Sequence, residues 1–476
     1  MGGTGIILIN KKHCRWLPEE QNQAVDHVCE HFYCFIVNQF AMKFILSFVL
    51  VCSVSFVNAQ NEKTQLEALL FNLPDVQFKL HSKPEDKHLK YLLTIKQPLD
   101  HQHPEKGVFY QSAMLTHKGF DRPTVMETEG YEMQPGGNEI EAMLDANNIN
   151  IEHRFFGASK PDSLQWDYLT FEQVTADLHR INQLFRTIYK SKWVSTGISR
   201  GGTLSIYYKS LYPDDVDLTV PYVAPLTTAL EDKRIYHFLD TMGSPECRKK
   251  LFNVQRFLLE HEAEAVAKLR WYVKGKGITY NYYNSLEEAF EYWVLEYPFS
   301  FWQMTSMSCD AIPTNKSVDD YLEHMINIRY IPLLADKYIK QWAANGYTAR
   351  TQMGFYGYDL TRYKKYLRHI KGENPTAAFV PKDIPLKPFD SSFTQQVSRW
   401  LDEKGNNLLY IYGSRDTWSA CRVMVSGKVN SKSFLLPGAD HFEARVKNMS
   451  AEMKAEFAAS VKKMLGMEVD FNALKK

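Results

Sequence analysis

The sequence is short of cysteine and has no excess of either charge. Seven of its 476 residues are cysteine, and the three that lie beyond residue 59 have no spacing that resembles a zinc site. Lysine and arginine number 56 and aspartate and glutamate 55, a formal net charge of +1, and no basic run with interleaved aromatic residues is present. The composition therefore gives no indication of a metal site and argues against a nucleic-acid partner.

Internal repeats and low-complexity tracts are also missing, and only one long apolar run occurs, near the N-terminus. Hydrophobic residues make up 45% and charged residues 23% of the chain, close to the average for soluble proteins. These values exclude a disordered chain and a protein with several membrane spans. The length suits one large domain with a big insertion, or two domains of ordinary size.

The apolar run at residues 42–59 has the three regions of a signal peptide. It opens with a lysine, continues with an apolar segment and ends in a small-residue cleavage site at Ala59, before Gln60. We therefore expect a secreted or periplasmic protein that keeps no membrane span after cleavage. We also expect translation to start at Met42, so that residues 1–41 are an untranslated or dispensable leader. A cytoplasmic protein with an apolar N-terminal helix is the alternative.

Removal of residues 1–59 leaves three cysteines, Cys247, Cys309 and Cys421. Three thiols cannot form a disulfide framework. One bridge can form, and buried free thiols are the alternative. A lipid anchor at Cys52 is disfavoured because a bulky valine precedes it. The sequence gives no indication of the oligomeric state.

From about residue 90, short apolar runs alternate with segments of helical period, the pattern of a mostly parallel sheet covered by helices. Two antiparallel strands are predicted first, at 91–95 and 108–115. Further strands are predicted at 124–127, 150–153, 193–198, 218–223, 408–412 and 433–436, and helices at 171–189, 200–211 and 449–464. We therefore predict an α/β domain formed by residues 60–226 and 391–476, with a large helical cap inserted at residues 227–390.

The chain contains Gly197-Ile198-Ser199-Arg200-Gly201, a match to the pattern G-x-S-x-G, between a predicted strand and a predicted helix. In that setting the glycines permit a sharp turn that exposes the serine hydroxyl at the top edge of the sheet. The motif predicts the α/β-hydrolase fold with Ser199 as nucleophile, and an ordinary glycine-rich turn is the alternative. The backbone N–H of Arg200 is one expected donor to the oxyanion.

A serine nucleophile needs a carboxylate and a base, which follow it along the chain in that order in this fold. Asp416 stands after the strand predicted at 408–412, and His441 stands on the loop after the last strand. Asp440 is the rival acid, but neighbours on a loop tend to point apart, so that Asp416 is the better partner. A turn-forming aspartate and a surface imidazole are the alternatives for these two residues.

A second motif resembles that of a peptidase family. The chain contains Glu152-His153-Arg154-Phe155-Phe156-Gly157-Ala158-Ser159-Lys160-Pro161, which is similar to the E-H-R block of the proline-preferring exopeptidases. These include lysosomal Pro-X carboxypeptidase and dipeptidyl peptidase seven, and the resemblance is greater to the secreted bacterial tripeptidyl aminopeptidases. It covers about residues 85–225 and 390–450. The nucleophile motif departs from the G-x-S-Y-x-G of the lysosomal enzymes, which leaves the length of the released peptide open.

In those relatives a glutamate after the third strand contacts the substrate amine, and the resemblance gives this role to Glu129. Glu127, or a carboxylate that is merely solvated, is the alternative. The turn that carries Glu129 is expected to supply the second oxyanion donor, from the backbone N–H of Gly130 or Tyr131.

His153 and Arg154 are expected to brace the sheet edge, with Arg154 in a buried ion pair. The predicted cap is dense in aromatic residues between 280 and 302. Most of these should belong to its core, and some could line an apolar pocket for a proline ring.

The residues and the resemblance together predict a secreted serine exopeptidase that releases di- or tripeptides from peptides with free N-termini. It acts through an acyl-enzyme at Ser199 without a cofactor. The resemblance further implies a preference for proline. An esterase or lipase on the same scaffold is the alternative. A binding protein with an inactive hydrolase fold is disfavoured, because all three residue types of a triad are present.

Overall fold

The computed structural model describes residues 61–83, 85–328, 334–372 and 380–475, so the predicted leader and signal peptide lie outside the described residues. The described residues divide into two units, which meet in the sequence between Leu69 and Leu70. The described part of the first unit is helical, and the second unit contains all the elements below. Within the described ranges, no helix is both long enough and apolar enough to cross a membrane.

A nine-stranded sheet forms the centre of the second unit. Its strands are β1 (Val76–Leu80), β2 (Leu89–Pro98), β3 (Val108–His117), β4 (Thr124–Thr128), β5 (Asn147–Ile151), β6 (Trp193–Ile198), β7 (Leu218–Tyr222), β8 (Leu409–Gly413) and β9 (Lys432–Leu436). Their order in the sheet is β1-β2-β3-β5-β4-β6-β7-β8-β9. The neighbours from β1 to β5 in this order pair antiparallel, and the neighbours from β5 to β9 pair parallel.

Helices follow the parallel strands and cover the sheet. They are Glu139–Leu144, Phe171–Phe185, Arg200–Leu211, Ser392–Lys404 and Ala451–Leu465. The helix Phe171–Phe185 forms because its apolar residues recur every three or four positions, which gives it one buried face, and because the Thr170 side chain accepts a hydrogen bond from the backbone N–H of Gln173 at its start. It ends four residues earlier than its apolar pattern predicts.

The chain between β7 and β8, residues 223–408, ends with the sheet-covering helix Ser392–Lys404, and the part before that helix is an insertion that is largely helical where it is described. Its helices are Arg234–Thr241, Pro245–Glu260, Glu262–Gly275, Leu286–Met304, Val318–Asn327, Asp336–Gln341 and Ala343–Thr348, followed by a π-helix at Ala349–Met353. Most of its aromatic residues belong to a separate hydrophobic core, together with aliphatic side chains of the insertion, as expected. A disulfide joins Cys247 to Cys309 inside the insertion, whereas Cys421 is a buried free thiol.

The structure confirms the predicted α/β class, with a mostly parallel sheet and helices inserted after the nucleophile strand, while the predicted domain boundaries stay predictions. One strand prediction needs correction, because β5 lies at Asn147–Ile151 rather than at 150–153. In addition, the sequence analysis does not predict the edge strand β1. Strand β5 contains three asparagines, which interrupt the apolar pattern expected of a buried strand. All three are nevertheless buried, and Asn147, for example, is satisfied there by a hydrogen bond from the backbone N–H of Lys118.

Arg154 forms the buried ion pair expected of it, and its partner is Asp177 on the helix Phe171–Phe185. Arg154 Nε and Nη2 each lie 2.6 Å from a carboxylate oxygen of Asp177, and both residues are fully buried. The guanidinium also donates to the carbonyl oxygens of Leu99 and Tyr168. This pair therefore fixes the helix to the chain that follows β2 and to the E-H-R block after β5.

We expect Asp177→Asn to lower the free energy of unfolding by about 3–5 kcal/mol, because it leaves a buried guanidinium without its anion. Asp319→Asn is the matched control, since the carboxylate of Asp319 is largely exposed in its pair with Lys268 and should contribute about 0–1 kcal/mol. Urea unfolding followed by circular dichroism measures both. Equal effects of the two substitutions would contradict the structural role of the buried pair.

Candidate active site

Ser199 lies at the turn between β6 and the helix Arg200–Leu211, with a φ of 58° and a ψ of −125°. A residue with a side chain rarely adopts a positive φ, and such a value is typical of a serine held on a sharp strand-to-helix turn. The backbone N–H of Ser199 donates to the carbonyl of Tyr222 on β7 at 2.8 Å, and Thr203 N–H donates back to the carbonyl of Ser199 at 2.9 Å. These bonds hold the turn in place.

The loop after β4 packs its backbone directly against the first turn of that helix. A Cβ atom at Gly201 would lie 2.3 Å from the carbonyl oxygen of Thr128, and one at Gly130 would lie 2.7 Å from both Arg200 Cβ and the backbone nitrogen of Gly201. Only glycine allows this approach. It brings together the two backbone segments that contain the predicted oxyanion donors, Arg200 on one and Gly130 with Tyr131 on the other.

His441 and Asp416 form a buried hydrogen bond, with His441 Nδ1 2.7 Å from Asp416 Oδ2. The other oxygen of Asp416 accepts from the backbone N–H of Trp418, which fixes the carboxylate. Asp440 is placed differently, because its Oδ1 accepts from the backbone N–H groups of Phe442 and Glu443. Of the two candidate acids, the imidazole therefore pairs with Asp416.

Ser199 and His441 both line one cavity of about 500 Å³ between the sheet and the insertion. Among the described residues no hydrogen bond joins the Ser199 hydroxyl to the imidazole, and such bonds are often long without substrate. A molecule that fills the cavity contacts both groups, which is the arrangement that acyl transfer requires.

Glu129 and Glu127, the two candidates for binding an amine, face different cavities. Glu129 lines the cavity of Ser199, and its Oε1 accepts from Gln134 N–H at 3.2 Å and from the side-chain amide of Asn150 at 3.1 Å. Burial, and to a smaller extent the charge of Glu152, raises the pKa of Glu129. Glu127 lines a separate cavity, and burial raises its pKa to about 7.

The E-H-R block holds the loop of Glu129 in position. Glu152 accepts hydrogen bonds from the backbone N–H groups of Met133 and Ser159, and the backbone N–H of His153 donates to the carbonyl of Tyr131. Glu129 N–H donates to the carbonyl of Ile151 at 3.1 Å. The motif therefore supports the loop that contains Glu129, and none of its residues is among the described residues that line the cavity.

The Arg200 side chain connects three parts of the site. Its Nη1 donates to the carbonyl of Gly130 at 2.7 Å, and its Nη2 donates to Thr348 Oγ1 at 3.1 Å, on a helix of the insertion. Its Nη2 also lies 3.4 Å from Nε2 of His153. Burial, together with the charge of Arg200, lowers the pKa of His153 well below its ordinary value, so this imidazole is neutral and accepts the bond.

Phe299, one of the aromatic residues between 280 and 302 that could line a pocket, does line the cavity. The sequence analysis missed other residues that the insertion contributes, among them Glu296, Arg350 and Tyr356. Burial raises the pKa of Glu296 to about 6, and its carboxylate accepts from the hydroxyls of Ser300, Tyr356 and Tyr358. Glu296 is one of two acids, with Glu291, within the aromatic run, and that exception to the pattern could have identified it. Arg350 has no comparable signal.

Over the described ranges, one set of side chains could hold a metal ion, Glu262, Glu291 and His369 in the insertion. None of the three lines the cavity of Ser199. The Glu291 carboxylate already accepts from the backbone N–H groups of residues 368–370, so it serves to fix that loop.

The order serine, aspartate, histidine at the ends of strands in a mostly parallel sheet is that of the α/β-hydrolases, and this chain is a serine hydrolase of that fold. It matches the family model described as PS-10 peptidase S37 over residues 60–470 and belongs to that family. The protein is therefore a serine-type peptidase.

The chain is also similar to a curated peptidase and to solved structures. The chain is 32% identical over 406 residues to a prolyl tri/tetrapeptidyl aminopeptidase of Streptomyces mobaraensis, a match that covers 84% of each chain. Among solved structures, it is 14% identical to a proline iminopeptidase of Mycobacterium smegmatis, with a TM-score of 0.38 over 78% of this chain and 97% of that one. An α/β fold family hydrolase of Bacillus anthracis is 16% identical, with a TM-score of 0.33 over 79% and 99% of the two chains.

We expect Asp416→Asn to reduce kcat by about 10⁴-fold, because an amide beside Nδ1 no longer holds the imidazole in the tautomer that accepts the serine proton. Asp440→Asn keeps an oxygen that accepts from the backbone and should cost about tenfold at most. Steady-state kinetics on both folded variants measures the difference. A larger loss in Asp440→Asn would transfer the role of the acid to Asp440.

Proposed function

We propose that this peptidase is an aminopeptidase that releases short peptides, chiefly tripeptides, from free N-termini and prefers proline at the cleaved bond. The observation that carries the proposal is the position of Glu129, a half-buried carboxylate in the same cavity as Ser199 and His441. A carboxylate without a basic partner in a cavity suits a protonated amine. The name of the Streptomyces relative supports both the peptide length and the preference for proline.

In the proposed mechanism Ser199 Oγ attacks the scissile carbonyl while His441 accepts the serine proton, and Asp416 stabilises the imidazolium that forms. The oxyanion accepts hydrogen bonds from the backbone N–H of Arg200 and from that of Gly130 or Tyr131. His441 then protonates the departing amine, which leaves the released segment as an ester on Ser199. Water activated by His441 hydrolyses this ester. Apart from this water and the substrate, all the reacting groups belong to the chain.

The cavity also supports a short apolar segment as substrate. A volume of about 500 Å³ lies in the range of pockets that bind small molecules. Aromatic side chains of the insertion line it, among them Phe299, which stacks on Tyr356 with ring centroids 3.9 Å apart, and Trp418 packs against the ring of Tyr356. Flat apolar surfaces of this kind accommodate a proline ring.

We expect Glu129→Gln to lower kcat/KM for peptides with a free N-terminus by about 10²- to 10⁴-fold, because the ammonium group loses its anion in a partly desolvated site. On the matching N-acetylated peptides, the variant and the wild type should differ little, since the charge that Glu129 serves is absent. Because the pKa of Glu129 is raised, activity on free peptides should fall on acidification at a higher pH than an ordinary glutamate would give.

Glu132→Gln is the matched control, because Glu132 lines the same cavity but its carboxylate accepts from the side chain of Gln341. Ser199→Ala should abolish turnover of every peptide, with losses of about 10⁶-fold. If the wild type cleaves acetylated and free peptides equally well, the aminopeptidase proposal fails. Faster turnover of acyl esters than of unblocked peptides would favour the esterase alternative.

We further propose that residues 42–59 direct export and are cleaved before Gln60. The apolar run and its small-residue end support this, and so does the disulfide between Cys247 and Cys309, because disulfides persist in oxidising compartments. A chain that starts at Met42 should be exported, and N-terminal sequencing of the exported protein should begin at Gln60 or within a residue or two of it. Sequencing that finds residues 1–41 on the exported protein would refute this prediction.

A further inference from the structure

Arg350 lies on the π-helix Ala349–Met353 of the insertion and lines the cavity that contains Ser199. Its Nε and Nη1 atoms are buried, and neither has a hydrogen-bond partner. No ion pair of the described residues includes this guanidinium. Burial lowers its pKa, although an arginine stays charged at any pH at which the enzyme would work.

Among the described residues that line the cavity, the acidic ones are Glu129, Glu132 and Glu296. None of these three carboxylates forms an ion pair with the guanidinium of Arg350. Guanidinium nitrogens are rarely buried without a partner, and Arg154 of this chain, paired with Asp177, shows the usual arrangement. The side chain of Arg350 is only partly buried, but its buried Nε and Nη1 atoms lack an acceptor that a molecule in the cavity could supply.

We propose that Arg350 binds a carboxylate of the peptide substrate and so determines part of the specificity, an inference that rests on the proposed function. A guanidinium presents several N–H donors in one plane and binds a carboxylate through two parallel hydrogen bonds, which a neutral acceptor cannot match. The cavity is then complementary to a dipolar peptide, with the amine at Glu129 and the carboxylate at Arg350.

The carboxylate has two sources, an aspartate or glutamate side chain in the released segment and the free C-terminus of a short peptide. Two pairs of peptides distinguish them, all with free N-termini. In the first pair, a glutamate in the released segment is replaced by glutamine, at each position in turn. In the second pair, a tetrapeptide with a free C-terminus is compared with its C-terminal amide.

We expect the wild type to prefer the acidic member of one of these pairs by about 10- to 100-fold in kcat/KM, chiefly through KM, as for a desolvated charge pair. Arg350→Met should abolish this preference, and Arg350→Lys should restore part of it because it keeps the charge. Arg256→Met is the control, since Arg256 is an exposed arginine of the insertion that pairs with Glu260. Thermal unfolding of each variant checks that it is folded.

A preference that Arg350→Met leaves intact, or a wild type that prefers no acidic peptide, would overturn the proposal. An equal loss of kcat/KM on acidic and neutral peptides in Arg350→Met would also overturn it, because such a loss would mean that Arg350 binds main-chain carbonyls or serves packing. The neutral peptides test the proposed function separately. A wild type that releases nothing from them, although they carry free amines, would refute the aminopeptidase activity, whereas turnover of them without an effect of Arg350 on the preference would refute only this inference.

Discussion

The catalytic arrangement depends on one steric constraint, the contact between the loop after β4 and the first turn of the helix that follows Ser199. Two glycines, Gly130 and Gly201, make it possible, because a Cβ atom at either position would overlap with backbone of the other segment. The E-H-R block holds the loop from the other side through Glu152 and His153. Ser199, the expected oxyanion donors and Glu129 therefore lie on backbone segments that pack directly against one another.

The sequence predicts those parts of the molecule whose determinants are local. The strand before Ser199 and the helix after it lie at the predicted positions, because a hydrophobic run, a glycine-rich turn and a helical pattern follow one another directly. The position of Asp416 follows in the same way from chain order and the end of a strand. By contrast, β1 escapes prediction because this edge strand is mostly exposed and lacks a strong apolar pattern.

The rest of the cavity could not be predicted, because its residues meet only through packing over long distances in the sequence. Arg200 and Thr348 are hydrogen-bonded across 148 positions, and Cys247 pairs with a cysteine 62 residues away. Arg350 lies in a helical stretch that carries no motif, and its lack of a partner becomes visible only when every neighbouring acid has been assigned. Sequence patterns record burial and local turns, whereas this kind of electrostatic imbalance is a property of the folded chain.

The Arg200 side chain also links the turn of Ser199 to the insertion. Arg200 follows Ser199 directly, and its guanidinium donates one hydrogen bond to the loop of Glu129, at Gly130, and another to the insertion, at Thr348. An outward displacement of the helix Ala343–Thr348 would break the second bond and so remove a restraint on the residue next to Ser199. The geometry around Ser199 is therefore coupled to the position of a helix that belongs to the insertion.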